Sequence, residues 1–388
     1  MFEECRLFQA RDFVSLLEPC FLMCRVFGLF PYKITSDRRQ IVHSNWRFIC
    51  SLITMLATIL TLAYVMYEFD FTDDLEKRNV PGLLQGNCYM FLTLLISISS
   101  MFYINSKLKF LQQLNVISSK FPEKTLIKIS RVVHAKDIFG FLILFAQVGS
   151  GHTQDNRGIL INAFGLYLTI MVYTLDMIYV DCVYVIYAGF KNVNKHLQDL
   201  RKFINRKPHL LRRDYHRYQN PIILSELKSL KEKHHDLSES VQQLNNVFGF
   251  QIGTTVALTF TEVTFSIYFL LLQEINKKNL ESKNQIWYWH FVRSMTYHFI
   301  KFLVIIFTCE TTKNESLQTG NLIHKMLIRI ADLDVKQELQ LFSLQLLHRS
   351  NTFDGRGIAI DATLLKAIVG GIATYILILI QFLLSSRK

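Results

Sequence analysis

At 388 residues, half of them apolar and 31 of them phenylalanine, the chain carries more hydrophobic surface than a soluble domain of this size can bury, and its mean hydropathy is positive. The formal net charge of +12 is spread over the segments between apolar stretches, so it marks membrane orientation and gives no support to a nucleic-acid-binding module. The cysteines, at positions 5, 20, 24, 50, 88, 182 and 309, show no paired spacing and no Cys-x-x-Cys, and read as small buried hydrophobes.

In chain order, the first ten residues mix acids and bases and lack an apolar core followed by small residues. No cleavable signal peptide is read there, and the first spanning helix is expected to serve as the targeting signal. Residues 12–30 form an amphipathic stretch carrying Phe13, Leu16, Leu17, Phe21, Leu22 and Val26, too polar to cross and followed by Pro31. It is expected to lie at the inner membrane interface. Apolar stretches then predict seven spans, at 46–69, 83–103, 138–150, 159–190, 247–272, 289–308 and 362–384, the third of them short.

With the N-terminus cytosolic, the cytosolic segments hold 32 Lys and Arg against 8 on the other side. The positive-inside rule therefore puts the N-terminus in the cytosol and the C-terminus outside. This is the reverse of a G-protein-type seven-helix receptor, and the chain also lacks Asp-Arg-Tyr after the third span and Asn-Pro-x-x-Tyr in the seventh. The sequon Asn314-Glu315-Ser316 falls on the predicted cytosolic side.

The fold class expected is all-α: a polytopic membrane protein with cytosolic helical extensions. Residues 1–45 form a cytosolic N-terminus, and 46–308 a six-helix bundle with a cytosolic extension around 191–246. Residues 309–361 form cytosolic anchor helices, and 362–388 the seventh span. Apolar stripes at Leu224, Leu227, Leu230, Leu237, Val241 and Leu244, and at Val335, Leu339, Phe342 and Leu346, need a partner surface, either within the chain or on another subunit.

Catalytic patterns are missing: there is no Gly-x-Ser-x-Gly, His-Glu-x-x-His or phosphate-cradling glycine loop. His234-His235-Asp236 suggests no metal site, because neighbouring side chains on a helix point about 100° apart, and reads as a solvated face. Ionisable residues at membrane depth are the better leads. Glu262 and Arg293 fall in the outer half of the bundle, close enough to meet. Around that level lie Trp289, Tyr297, Phe265, Tyr268, Tyr167, Gln147, Gln85 and Tyr89. Aromatic walls with a few polar groups suit a small organic ligand, although an interfacial aromatic belt has the same composition. Asp176 and Asp181 read as deeper structural or coupling groups, with Lys301 as a counter-charge.

The last span puts Thr374 and Gln381 on one helical face with Leu377 and Ile378 between them. A carboxamide facing lipid leaves its hydrogen-bonding groups unmet, so Gln381 is expected to face protein or water. Thr374-Tyr375, five apolar residues and Gln381-Phe382 match the C-terminal signature of insect gustatory receptors, and the chain resembles that family over its whole length, most closely the broadly expressed subfamily associated with bitter compounds, nucleosides and heat.

The resemblance implies a ligand-gated, non-selective cation channel, homotetrameric or heteromeric with related receptors. Four copies of the last helix would line its pore, with Gln381 and Phe382 at an outer gate and Thr374 and Tyr375 deeper. It implies a small-molecule tastant as ligand, bitter or another non-volatile compound, with sugar or temperature as the alternative. It also implies the plasma membrane of sensory neurons, including dendrite and axon, and neither a cofactor nor an enzymatic activity.

Overall fold

The apolar runs become long helices because the hydrocarbon interior admits no unpaired backbone amide, and a helix satisfies its own. The computed structural model describes residues 10, 12–35, 40–71, 80–148, 156–205, 214–276, 283–328, 330 and 332–385. Along the chain these form α1 (Phe13–Val26), β1 (Tyr32–Thr35), β2 (Gln40–His43), α2 (Asn45–Phe71), α3 (Val80–Phe102), α4 (Ile104–Ser118), α5 (Glu123–Val148), α6 (Asn156–Asn205), α7 (Asp214–Asn276), α8 (Lys283–Leu327), α9 (Leu333–Leu347) and α10 (Ala362–Ser385).

Among the described residues six helices, α2, α3, α6, α7, α8 and α10, are long and apolar enough to cross a membrane. The third expected span, 138–150, occupies the C-terminal half of α5 and is not among them. Its apolar run is short and follows Lys128, Arg131, Lys136 and Asp137 in the same helix. Helices α6, α7 and α8 contain 50, 63 and 45 residues, about 70–95 Å at 1.5 Å per residue. A hydrocarbon core of about 30 Å holds less than half of that length, so each extends well beyond its apolar part.

The fold is all-α as expected, with one short addition: β1 and β2 pair antiparallel, with Tyr32 opposite His43. The hairpin is fastened to α4, where the Tyr32 hydroxyl donates to Ile104 O at 2.6 Å and Gln112 Nε2 donates to Ile41 O at 2.7 Å. Most of the apolar face of α1, expected at the membrane interface, is covered by protein: Phe13, Leu16, Leu17, Phe21 and Cys24 are buried where α1 packs on α4, α5 and α6, while Leu22 and Val26 stay exposed. Asp12 caps this helix by accepting from Ser15 N at 2.8 Å.

Helix α6 is the central post, with 83% of its most apolar window buried, whereas α10 is covered over 6% and α2 over 17%. Below the apolar region, the stripes at 227–244 and 335–342 pack on each other: Leu227, Leu230, Val241, Leu244, Leu339 and Phe342 are buried in one core. His234 belongs to that core, which corrects its reading as solvated. It is 1% exposed, with its ring between Phe190 and Phe342, and burial pushes its pKa down to about 4. Beside it an ion pair joins Lys231 to Glu338. Leu333, Leu341, Leu344 and Leu347 remain exposed on α9.

Candidate functional site

Helix α7 presents Thr255, Thr259, Glu262 and Ser266 at intervals of four, three and four residues, hence on one face. All four are buried. Helix α3 answers with Gln85, Tyr89 and Thr93, again four apart, and α8 with Tyr297, His298 and Lys301. Together with Asp176 and Thr169 of α6 they build a polar column through the apolar part of the bundle.

At its base, Asp176 forms an ion pair with Lys301 at 2.9 Å and accepts from Thr255 Oγ1 at 2.9 Å. Lys301 also lies 5.6 Å from the centroid of the Tyr297 ring. The expected counter-charge role of Lys301 is thus met by Asp176, while Asp181 pairs with Lys136 at 2.9 Å. Higher up, Gln85 Nε2 donates to Glu262 Oε2 at 2.9 Å, and the hydroxyls of Tyr89 and Thr169 lie 2.7 Å apart.

Between these bonds the column is incompletely satisfied. Thr259 Oγ1, Glu262 Oε1, Ser266 Oγ, Tyr297 Oη and His298 Nδ1 are buried with no hydrogen-bond partner among the described residues. Buried polar atoms are normally paired, so a cluster of open donors and acceptors is suited to water or a hydrogen-bonding ligand.

The expected Glu262–Arg293 pair does not form, because each has another partner. Arg293 donates to Trp289 O at 3.1 Å and to Ala146 O at 3.2 Å, which satisfies a carbonyl in the last turn of α5. Of the pocket residues expected from sequence, Glu262, Tyr297, Gln85 and Tyr89 gather in the column. Phe265 and Tyr268 join an aromatic group with Phe269 and Phe291. Trp289 is exposed, and Tyr167 turns to α2, its hydroxyl 3.1 Å from Thr58 Oγ1. The side chain of Gln147 lies outside the described residues.

Sequence reasoning missed Thr93, Thr255, Thr259, Ser266 and His298. Their signal was present in the spacing of polar residues by three or four within apolar helices.

Helix α10 stands apart from the column. It touches α7 and α8, chiefly where Phe260 and Tyr375 meet edge-to-face at 5.6 Å. Thr374 returns its hydroxyl to Gly370 O at 3.0 Å, which meets its own polar need. Tyr375, Leu377, Ile378 and Gln381 are exposed; the Phe382 side chain lies outside the described residues. The base of α10 is held from α8. Asp361 accepts from the Thr363 hydroxyl, from Lys313 Nζ at 3.2 Å and from Thr363 N at 2.9 Å, and these donors, the hydroxyl first, hold its pKa below the ordinary carboxylate value.

A long, apolar, uncovered helix beside a buried polar column describes a membrane receptor more readily than an enzyme. The family model described as 7tm chemosensory receptor matches residues 17–386. The chain belongs to this family. Its members are receptors and not enzymes, and the protein is accordingly a multi-pass membrane protein.

Among curated proteins of Drosophila melanogaster it is similar to gustatory receptor 28b, at 31% identity over 39% of this chain and 33% of the relative. It is also similar to the gustatory receptor for sugar taste 43a, at 26% identity over 40% of this chain and 36% of the relative. The chain thus spans about a third of the length of these relatives. The insect olfactory receptor OR5 of Machilis hrabei, solved with eugenol, superposes with a TM-score of 0.67 at 12% identity, over 95% of this chain and 98% of that one. This likeness concerns the fold.

Proposed function

We propose that the protein is one subunit of a ligand-gated, non-selective cation channel for taste compounds, assembled as a homotetramer or with related receptors. The single observation that carries this reading is α10: 24 residues, the most exposed of the membrane-length helices, and held from α8 through Asp361. A helix uncovered on nearly every side in one subunit is suited to line a pore shared by several.

In this reading the N-terminus is cytosolic and the C-terminus external, as the Lys and Arg distribution favours. Ligand binding at the column tilts α7 and α8, both of which touch α10. The ring at Gln381 and Phe382 then changes from apolar closure, which excludes ions by dewetting, to carboxamide-lined opening. With no acidic residue in α10, sodium, potassium and calcium all pass.

The ligand is a bitter or other non-volatile tastant; the name of one relative, the gustatory receptor for bitter taste 66a, is in keeping with this. A sugar is the second reading, favoured by the open hydroxyls of Thr259 and Ser266 beside Gln85 and Glu262 and by the sugar-taste name of receptor 43a. Sensory neurons are the expected site of action.

The test is current recorded from a null cell expressing the chain, challenged with bitter compounds, sugars, nucleosides and a temperature ramp. Gln381→Ala should change conductance or basal opening with every agonist. Failure of every stimulus to evoke current from surface-expressed protein sinks the channel reading, and an epitope at the N-terminus that labels intact cells favours a G-protein-type receptor.

A further inference from the structure

Where α1, α5 and α6 meet, Cys20, Asp137 and Asp181 converge from three distant parts of the sequence. The Cys20 Sγ lies 3.4 Å from Asp137 Oδ2 and 3.5 Å from Asp181 Oδ2, and one donor atom from each residue falls within 4.8 Å of the others. The three are 3%, 4% and 0% exposed. Each carboxylate divides its oxygens in the same way: Oδ2 faces the sulfur, and Oδ1 faces Lys136 Nζ, at 2.6 Å for Asp137 and 2.9 Å for Asp181. We propose that Cys20, Asp137 and Asp181 form a binding site for a zinc-like divalent metal ion, with Lys136 as the outer group that orients both carboxylates.

Three features carry this. The first is spacing: sulfur and oxygen bound tetrahedrally to zinc, at about 2.3 and 2.0–2.2 Å, stand about 3.5 Å apart. A thiol hydrogen-bonded to either carboxylate fits the same distances but leaves the other two features unexplained.

The second is charge. With both carboxylates ionised, two buried negative charges share one ammonium, a costly arrangement. When the metal binds, the Cys20 S–H bond breaks, a sulfur–metal bond forms and the proton leaves to solvent. Three negative ligands are then balanced by one ammonium and one dication.

The third is independent of the cluster. The Tyr173 hydroxyl, on a side chain 4% exposed, has no hydrogen-bond partner, yet it lies within electrostatic reach of Cys20, Lys136, Asp137 and Asp181. It rests against Gly140, less than one turn beyond Asp137, where an added β-carbon would stand 1.7 Å from the oxygen. The open hydroxyl on this side of α5 is available to bind the ion or to hold a water on it. The thiolate selects a zinc-type ion over magnesium or calcium. A lysine bonded to the non-ligating oxygens fixes the direction of both carboxylate ligands. Cys20 is the ligand from α1, so the ion would pin the N-terminal helix to α5 and α6.

The full chain, purified in detergent without chelator, should carry one Zn2+ per subunit by elemental analysis. With Co2+ in its place it should show a near-ultraviolet thiolate-to-cobalt band. Cys20→Ala should abolish the band, and Asp181→Asn should weaken Zn2+ binding at least about tenfold. Cys24→Ala and Cys182→Ala should leave the band in place. Absence of a thiolate band in the wild-type chain, or a band that survives Cys20→Ala, overturns the proposal in favour of a hydrogen-bonded proton site. If Cys20→Ala does not fold, the combined Cys24→Ala, Cys182→Ala variant decides: a retained band supports the site, and a lost band overturns it.

Discussion

Gly253 of α7 lies so close to Gly355, in the segment that leads into α10, that a β-carbon on Gly253 would stand 2.8 Å from the Gly355 carbonyl oxygen. One turn earlier, Gly249 faces Asp354 O at 3.0 Å in the same way. The two glycines open a groove in α7, and Asn245 fastens the segment into it, donating from Nδ2 to Thr352 O at 2.8 Å and accepting from Asp354 N at 3.1 Å.

Because the obstructing atom is backbone, Gly253→Ala must displace the root of α10. An overpacking cost of about 1–3 kcal/mol is expected, read as a lower melting temperature in detergent. Surviving channels should open at a shifted agonist concentration. Unchanged melting together with unchanged gating would show that the groove neither limits packing nor positions α10.

The Asp176–Lys301 pair is fully buried, its side chains 0% and 1% exposed. Replacing one member strands the other as an unpaired buried charge, so Lys301→Met and Asp176→Leu are each expected to cost about 3–5 kcal/mol. The double variant should recover much of that loss, and comparing the cell-surface abundance of all four proteins measures the coupling. Additive losses would mean that the two charges are held by other partners.

How much of this was legible in the sequence depends on what masks each residue. The long apolar runs gave the membrane helices directly, and the stripe Val335, Leu339 and Phe342 correctly marked a packing face. His234 was masked by charged neighbours in Lys-Glu-Lys-His-His-Asp, although its spacing from Leu227, Leu230, Leu237 and Val241 places it on the apolar face of α7. The stripe of α1 was read as a lipid contact because an amphipathic helix has the same pattern whether lipid or protein covers it. The β1–β2 hairpin escaped because four-residue strands carry too little alternation to register. Glu262 and Arg293 were placed at one depth, but depth does not fix rotation about the helix axis, and each faces a different neighbour.

Glu262 is the polar centre of the proposed ligand site and separates charge from hydrogen bonding. Glu262→Gln keeps an acceptor for Gln85 and should fold with little loss, while agonist half-activation concentrations shift. Glu262→Leu leaves Gln85 Nε2 without that acceptor and should cost about 1–3 kcal/mol as well. If dose–response curves of both variants overlay the parent for every agonist, the column is structural and the ligand binds elsewhere.

His234 gives the packing of α7 on α9 a pH dependence of defined sign. Residue 234 precedes the apolar part of α7 by about 20 Å of helix and lies in the core shared with α9. Its folded-state pKa is lowered to about 4 from an unfolded value of about 6.5. Above the unfolded value the ring is neutral in both states and its contribution is fully present. As pH falls below that value the unfolded chain takes up a proton that the folded chain refuses, so stability declines by about 1.4 kcal/mol per pH unit until the folded value is reached. Melting temperature measured from pH 7 to pH 4.5 should therefore fall more steeply in the parent than in His234→Leu, which keeps an apolar group between Phe190 and Phe342 but cannot titrate. Equal slopes in the two proteins would assign the acid sensitivity to other groups.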